Sequence, residues 1–364
     1  MSNIGLVKTF RKNWFGLLSI GISITMLIIY LTAAGGVRAL AHSFAGMKKD
    51  WLAGMVLCTL AFWLTDGLIL HIYIRMKYKK HSYLKSLKTT MIGLLYNSLT
   101  PFGTGAQPMQ IYDLTQDGVS AGDAVSFVMV KSLLYQACLT IYAVAVLMFT
   151  FSFFIERIPR FDLLLWVGVG LNTFVVVLGC AIAINKTAVW KISHALVTLL
   201  AKIRIIKSQD KVLASLNRHI VIFHESVSLM YQRVEMLVFG FLLTVLQQTL
   251  FYCLPYCIYR SFNLHGDAFM LFLSAQAILS LIMTYVPIPG GSGFAESGFY
   301  LFFTLFFAQG VIMPAVFIWR FLTYYSTIIV GGAISFFDSR RHRKTPDKTA
   351  APDIRRAADA KETI

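Results

Sequence analysis

Two turns rich in proline and glycine interrupt apolar stretches of this chain, and they constrain its fold more than any other feature. The first is Pro101-Phe-Gly-Thr-Gly105 and the second is Pro287-Ile-Pro-Gly-Gly-Ser-Gly293. Neither fits inside a regular helix, because proline removes a backbone donor and clashes one turn back, and glycine costs backbone entropy. The apolar runs around the second turn, 268–285 and 294–307, are each too short to cross a bilayer comfortably. Because irregular backbone at membrane depth must be satisfied by protein or by a water-filled cavity, we expect each turn to be the tip of a re-entrant helical hairpin.

Composition places these turns in a membrane protein. Hydrophobic residues make up 57% of the chain and charged residues only 14%. This predicts an all-α polytopic membrane protein without a sizeable soluble domain. Besides the hairpins at 87–116 and 268–308, six apolar runs are long enough to span the bilayer. They cover residues 14–33, 51–74, 121–154, 163–184, 235–258 and 311–337.

The hairpins belong to two halves of the chain that repeat each other. Residues 51–154 and 235–337 each contain a span, a hairpin and a second span, and Pro101 precedes Pro289 by 188 positions. With both termini in the cytoplasm, 25 of the 33 Lys and Arg residues fall on that side, in agreement with the positive-inside rule. The hairpins then enter from opposite sides. This predicts the inverted-topology repeat of many secondary transporters, whose binding sites lie at broken helices near the midplane.

A linker and a tail complete the organisation. Residues 1–337 are expected to form one transmembrane domain, in which residues 185–234 are a basic, amphipathic linker on the cytoplasmic membrane face. The tail, 338–364, is predicted to be disordered. The net charge of +16 falls mainly at helix ends, so it indicates topology and attraction to anionic lipid, and we expect no nucleic-acid partner.

Each tip leads into a half-helix whose first N–H groups lack intrahelical partners. Such an end is electropositive and binds anions such as phosphate, and glycines let the anion approach the backbone. Thr104 and Gln107 have the spacing of a capping box, and Ser292 is the expected N-cap of the second half-helix. The alternative is that the glycines serve only the packing of tight hairpins.

Lys131 and Arg320 follow the two hairpins at equivalent places within spans. A charge at that depth is costly and is normally paired, water-facing or functional. Glu296 is the expected partner of Arg320, whereas no acid stands at the equivalent place for Lys131, which leaves Asp66, Asp113 or a bound anion. One more cation than the matched acids can balance favours an anionic ligand. A static network of salt bridges is the alternative.

The candidate substrate-binding set combines the tips with these charges. It contains Pro101, Gly103, Thr104, Gly105, Gln107, Lys131, Pro289, Gly290, Gly291, Ser292, Gly293, Glu296 and Arg320. Asp66 and Asp113 are candidates for a structural role or a proton relay, although Asp66 and His71 do not share a helical face. Gln247 and Gln248 are interpreted as interhelical hydrogen-bonding residues. We expect no catalytic residue, metal site or cofactor, because the sequence lacks the motifs of ATPases, metal hydrolases and nucleophilic triads.

At the two tips the chain resembles the transmembrane region of the lysylphosphatidylglycerol synthase/flippase family, the bacterial multiple peptide resistance factor. The resemblance covers about residues 10–337. It is carried by Asn97-Ser-Leu-Thr-Pro101, by Gly118 and, most specifically, by Pro287-Ile-Pro-Gly-Gly-Ser-Gly-Phe-Ala-Glu296. It implies a protein of the bacterial cytoplasmic membrane that moves aminoacylated phosphatidylglycerol between leaflets and reduces susceptibility to cationic antimicrobial peptides. It also allows a homodimer.

The chain departs from the family pattern at the first tip. Gln107 and Gln110 stand where the family usually has a Gly-Glu and then an Arg. The soluble aminoacyltransferase domain of full-length members is absent from this sequence. We therefore expect transport rather than lysyl transfer, even where a relative carries the synthase name.

These observations predict a flippase for an anionic or aminoacylated phospholipid, similar to lysylphosphatidylglycerol, or for a polyprenyl lipid. The phosphate would lie between the two half-helix N-termini. Two alternatives remain open. One is the membrane subunit of a phosphatidylglycerol lysyltransferase-type system that works with a separate soluble transferase. The other is a secondary transporter for a small water-soluble anion.

Overall fold

The computed structural model describes residues 44–187 and 209–344 apart from position 267, together with isolated positions in 21–38 and 190–198. The predicted first span, 14–33, lies largely outside the described residues. The part of the tail after residue 344 also lies outside them. Within the described residues the chain is helical and contains no strand, which confirms the predicted all-α class.

The first half of the described chain contains five helices. They are α1 Lys49–Arg75, α2 Tyr83–Leu99, α3 Ala106–Gln116, α4 Ala121–Ile155 and α5 Phe161–Ile184. A short 3-10 turn, Pro101–Gly103, separates α2 from α3. The predicted interruption of the first hairpin is therefore present at the predicted residues.

The second half follows the same order after a linker helix. Its helices are α6 Gln209–Gln232, α7 Val234–Tyr252, α8 Leu254–Ser261, α9 Phe269–Met283, α10 Phe294–Phe303, α11 Gln309–Arg320 and α12 Ser326–Lys344. A 3-10 turn, Pro289–Gly291, separates α9 from α10, and a π-helical segment, Phe321–Tyr325, separates α11 from α12. Helix α12 continues to Lys344, so the first residues of the predicted disordered tail are helical.

Five helical segments among the described residues are long and apolar enough to cross a membrane. They are Lys49–Arg75, Ala121–Ile155, Phe161–Ile184, Val234–Ser261 and Gln309–Asp338. Each coincides with one of the six predicted spans. Large apolar side chains on these segments are exposed, among them Phe149 at 79% and Trp166 at 71%, as expected for surfaces that face lipid.

Each half of the chain packs one of its spanning helices against the hairpin of the other half. Helix α4, the last span of the first repeat (residues 51–154), packs against α9 in the second hairpin, and α12, at the end of the second repeat (residues 235–337), packs against α2 in the first hairpin. The first spans of the two halves, α1 and α7, also pack against each other. With this exchange the two hairpins lie beside each other, and their turns are in contact.

The two turns share one backbone conformation at their first residues and then diverge. Phe102 and Gly290 occupy equivalent left-handed positions with φ of 55° and 59°. Three residues later Gly105 is helical, with φ −77°, whereas Gly293 has φ +89°. Glycine is the residue that adopts such a conformation without strain. The two half-helices therefore begin in different ways.

Candidate functional site

The two turns contact each other directly and border a cavity of about 390 Å³. Its walls come from both hairpins and from helices α1, α4, α7 and the junction of α11 with α12. Phe102 and Gln107 line the cavity and are exposed, Phe102 at 53%. The cavity therefore opens to the surface beside the first turn.

A buried ion pair anchors the second turn. Arg320 Nε lies 2.6 Å from Glu296 Oε1, and the exposed fractions of the two side chains are 6% and 1%. Arg320 Nη2 also donates to the carbonyl oxygen of Gly290 at 2.9 Å and to the hydroxyl of Ser292 at 3.3 Å. The predicted partnership of Arg320 and Glu296 is present, and it fixes the turn to α11.

Glu296 also caps the half-helix that follows the second turn. Its Oε2 accepts a hydrogen bond from the backbone N–H of Gly293 at 2.6 Å. The N-cap residue is Gly293 and Glu296 occupies position N3, so the sequence-based choice of Ser292 as N-cap is wrong. The reason is the backbone of Gly293, whose φ of +89° is not helical. Helix α10 therefore begins after Gly293, and its N-cap lies one residue later than predicted. A carboxylate already neutralises this helix end.

The half-helix after the first turn begins without such a cap. Among the described residues, no side chain caps α3, whose N-cap residue is Gly105. The hydroxyl of Thr104 donates to the carbonyl oxygen of Pro101 instead, so the predicted capping box of Thr104 with Gln107 does not form. Thr100 accepts from the N–H of Gly105 at 2.8 Å. The N-terminus of α3 thus remains electropositive where its first residues line the cavity.

Lys131 is paired within the bundle. Its Nζ lies 2.8 Å from Asp66 Oδ1, and the side chains are 10% and 8% exposed. Of the three partners that the sequence left open, the structure thus places Asp66 beside it. The argument from an unbalanced cation is wrong, because both cations of the predicted site have a carboxylate partner.

Asp113 belongs to a different cluster. Lys88 Nζ lies 3.0 Å from Asp113 Oδ1, and 3.4 Å from both Asp117 Oδ2 and Asp338 Oδ1. Burial acts to lower the pKa of Lys88, whereas these carboxylates act to raise it. The net result is a raised pKa. The cluster ties α2 and α3 to the end of α12, and Asp113 does not line the cavity.

The structure divides the predicted substrate-binding set into two groups. Those that line the cavity are Gly103, Gln107, Lys131, Gly290, Gly291 and Arg320. Asp66, the candidate for a structural role or a proton relay, lines it as well. Those that do not line it are Pro101, Thr104, Gly105, Pro289, Ser292, Gly293 and Glu296. Gln247 lines the cavity as well, whereas Gln248 Nε2 donates to the carbonyl oxygen of Tyr135 at 3.0 Å, as an interhelical hydrogen bond.

Several cavity residues were missed by the sequence reasoning. The amide side chains of Asn97, Gln110, Gln136 and Gln276 line the cavity, as do Trp319 and Tyr324. In the described part of the chain, Gln136 Oε1, Gln276 Oε1 and Trp319 Nε1 are buried without a hydrogen-bond partner. A glutamine inside an apolar run is a signal that could have identified Gln136 and Gln276.

Comparison with known proteins agrees with this architecture. The family model described as the lysylphosphatidylglycerol synthase TM region matches residues 16–331. The chain belongs to this family. Among individual relatives, a UPF0104 membrane protein of Archaeoglobus fulgidus is 24% identical over 292 residues, which are 78% of this chain and 86% of the relative. The lysylphosphatidylglycerol synthase TM-region family is one of membrane proteins with a lipid-related function, and the cavity lies entirely within the matched residues.

Proposed function

We propose that this protein moves a phospholipid between the two leaflets of the membrane, with the headgroup in the cavity between the two turns. The observation that carries the proposal is a cavity lined by amide side chains and by paired charged side chains, inside a bundle whose membrane-length helices expose apolar residues. A headgroup can cross a bilayer only where it exchanges its water shell for fixed polar partners, while acyl chains need no such path. Membership of a lipid-related membrane family supports the same reading.

The electrostatics indicate where the phosphate lies. The uncapped N-terminus of α3 offers free N–H groups at Ala106 and Gln107, and both residues line the cavity. The equivalent end of α10 is occupied by Glu296. The headgroup phosphate therefore sits beside the first turn, near the opening.

The proposal includes a topology. Both termini lie in the cytoplasm, and the two hairpins are re-entrant from opposite faces of the cytoplasmic membrane. The cavity is exposed in turn to each leaflet as one half of the molecule rocks against the other. The role is transport, without a catalytic step in this chain.

The test is translocation in reconstituted vesicles. Phospholipids labelled on an acyl chain are incorporated in both leaflets, and an impermeant reductant quenches only the outer label. We expect protein-containing vesicles to lose nearly all fluorescence and protein-free vesicles about half. Gln107→Trp should reduce the rate towards the protein-free level, because the indole fills the opening. Gln107 is exposed, so its replacement is compatible with folding.

Gln116→Trp is the matched control. Gln116 lies on the same helix, is also exposed, and does not line the cavity. This variant should translocate lipid at the rate of the original protein. Equal rates in all three proteins, or no protein-dependent loss of the inner label, would contradict the proposed function.

A further inference from the structure

Building on the proposed function, we infer that the cavity selects a phospholipid headgroup that carries no net charge and that combines a phosphate with hydrogen-bond donors. Ethanolamine phosphate is the simplest headgroup of this class. The inference rests on the balance of charges in the cavity and on buried acceptors that have no donor.

The charges of the cavity cancel. Among its described lining residues, the charged ones are Asp66, Lys131 and Arg320. Asp66 and Lys131 neutralise each other at 2.8 Å, and Arg320 is neutralised by Glu296 directly behind it at 2.6 Å. All four side chains are at most 10% exposed, so water screens them little. A headgroup with a net charge would bring an uncompensated charge into this environment, which is strongly unfavourable.

The cavity nevertheless has a place for one phosphate. The N-terminus of α3 carries a partial positive charge, and no side chain in the described part of the chain caps it. The matched end of α10 is neutralised by Glu296. The half-helices that follow the two turns therefore differ in charge at their N-termini, although the turns are similar in sequence. The cavity accommodates one phosphate rather than two.

The cavity lining also contains amide oxygens that have no donor among the described residues. Gln276 is 1% exposed, its Oε1 has no hydrogen-bond partner among the described residues, and it lines the cavity. Gln136 is half-buried and lines the same cavity, and its Oε1 atom is also buried without a hydrogen-bond partner among the described residues. An unionised amide oxygen can only accept, so these groups need N–H or O–H donors from a ligand. A phosphate diester has none. An ammonium group supplies donors and cancels the phosphate charge.

Three labelled lipids that share acyl chains and differ in headgroup test the inference. Phosphatidylethanolamine has donors and no net charge, phosphatidylcholine has no net charge and no donors, and phosphatidylglycerol has donors and a net negative charge. We expect phosphatidylethanolamine to be translocated about tenfold faster than either of the others. Phosphatidylglycerol moving as fast as phosphatidylethanolamine would overturn the charge argument. Phosphatidylcholine moving as fast would show that water satisfies Gln276, and would overturn the donor argument.

Two sets of variants test the charge argument and the donor argument separately. Asp66→Asn leaves Lys131 unpaired, gives the cavity a net positive charge and should shift the preference to phosphatidylglycerol. Asp66→Asn combined with Lys131→Gln restores neutrality and should restore the preference for phosphatidylethanolamine. Gln276→Leu should slow phosphatidylethanolamine and leave phosphatidylcholine unchanged. It provides an independent readout if the charge variants do not fold.

The two proposals fail in different ways. If none of the three lipids moves faster than in protein-free vesicles, the proposed function is contradicted. If phosphatidylglycerol or phosphatidylcholine moves at least as fast as phosphatidylethanolamine, lipid movement stands and only the inferred selectivity is overturned.

Discussion

Arg320 joins the second turn to the last span through three groups. It contacts the Glu296 carboxylate, the Gly290 carbonyl oxygen and the Ser292 hydroxyl, and its guanidinium lies 4.3 Å from the centre of the Tyr324 ring. Glu296 in turn caps α10. One buried pair therefore fixes both the turn and the start of the helix after it.

Removal of one partner of this pair should be strongly destabilising. Arg320→Met leaves Glu296 buried without its cation, and we expect a loss of about 3–5 kcal/mol in the free energy of unfolding. Arg320→Met combined with Glu296→Gln should recover part of the loss, because no buried charge then remains. Denaturant unfolding of the detergent-solubilised protein, followed by tryptophan fluorescence, measures both effects.

The matched control is an exposed pair. Arg157 Nη1 lies 3.2 Å from Glu156 Oε2, with the side chains 45% and 68% exposed. Arg157→Met should change the free energy of unfolding by less than about 1 kcal/mol. Similar losses for Arg157→Met and Arg320→Met would show that the buried pair has no special role.

At the scale of elements, the last span is divided by its π-helical segment. Before Phe321–Tyr325, helix α11 holds the second turn through Arg320, and after it α12 packs against α2 of the first hairpin. Tyr324, within the segment, donates to the carbonyl oxygen of Ser98 at 3.3 Å. π-helical segments are often found at functional sites. This one is the junction across which the last span contacts both hairpins.

Two adjacent glycines test the contact between α12 and α2. A Cβ at Gly331 would lie 2.7 Å from the carbonyl oxygen of Met91 and 2.9 Å from Leu95 Cβ, whereas a Cβ at Gly332 would meet no atom within 4 Å. Gly331→Ala should therefore separate the helices and destabilise the protein by about 1–3 kcal/mol. Gly332→Ala should be neutral or slightly stabilising, since alanine favours the helix. Apparent melting temperatures in detergent compare the two variants, and equal values would contradict the close approach of α12 to α2.

At the scale of the whole molecule, the exchange of helices between the halves places one turn from each in a shared cavity. Neither half contains the whole site, because Asp66 and Lys131 come from the first and Glu296 and Arg320 from the second. Each half also supports the hairpin of the other, through α4 with α9 and α12 with α2. A movement of one half against the other therefore changes the cavity itself.

The proposed topology predicts which loops react outside the cell. In a variant whose five cysteines are replaced, Glu156→Cys should react with a membrane-impermeant maleimide in intact cells, and Lys79→Cys should react only after permeabilisation. Both positions are exposed, and they lie near opposite ends of α4, because Lys79 is close to Lys77, which pairs with Asp123 at the start of α4, and Glu156 directly follows its last residue. The reverse pattern would invert the topology, and labelling of both from outside would contradict a spanning α4.

Much of the fold could be predicted from the sequence, since its signals are local. Hydrophobic length predicted the positions of α1, α4, α5, α7 with α8, and α11 with α12. Proline and glycine predicted both turns, because these residues act on the backbone at their own positions. The pairing of Glu296 with Arg320 was also predicted, from the cost of a lone charge in a membrane.

The site was predicted less completely, because its properties depend on contacts between distant segments. The sequence left three partners open for Lys131 and did not identify Gln136 and Gln276 as cavity residues. It also assigned the same charge to both half-helix ends, although Glu296 neutralises only the second.

The sequence by itself determined a bundle of membrane-spanning helices with two broken hairpins, since burial in lipid and helix breaking depend on residue type and local order. Only the tertiary structure decided that the two turns meet, that each charged side chain described in the cavity lining has a partner, and that the N-terminus of α3 stays electropositive while Glu296 neutralises that of α10. Those outcomes depend on distances between side chains far apart in the chain, and packing of the two halves alone sets these distances.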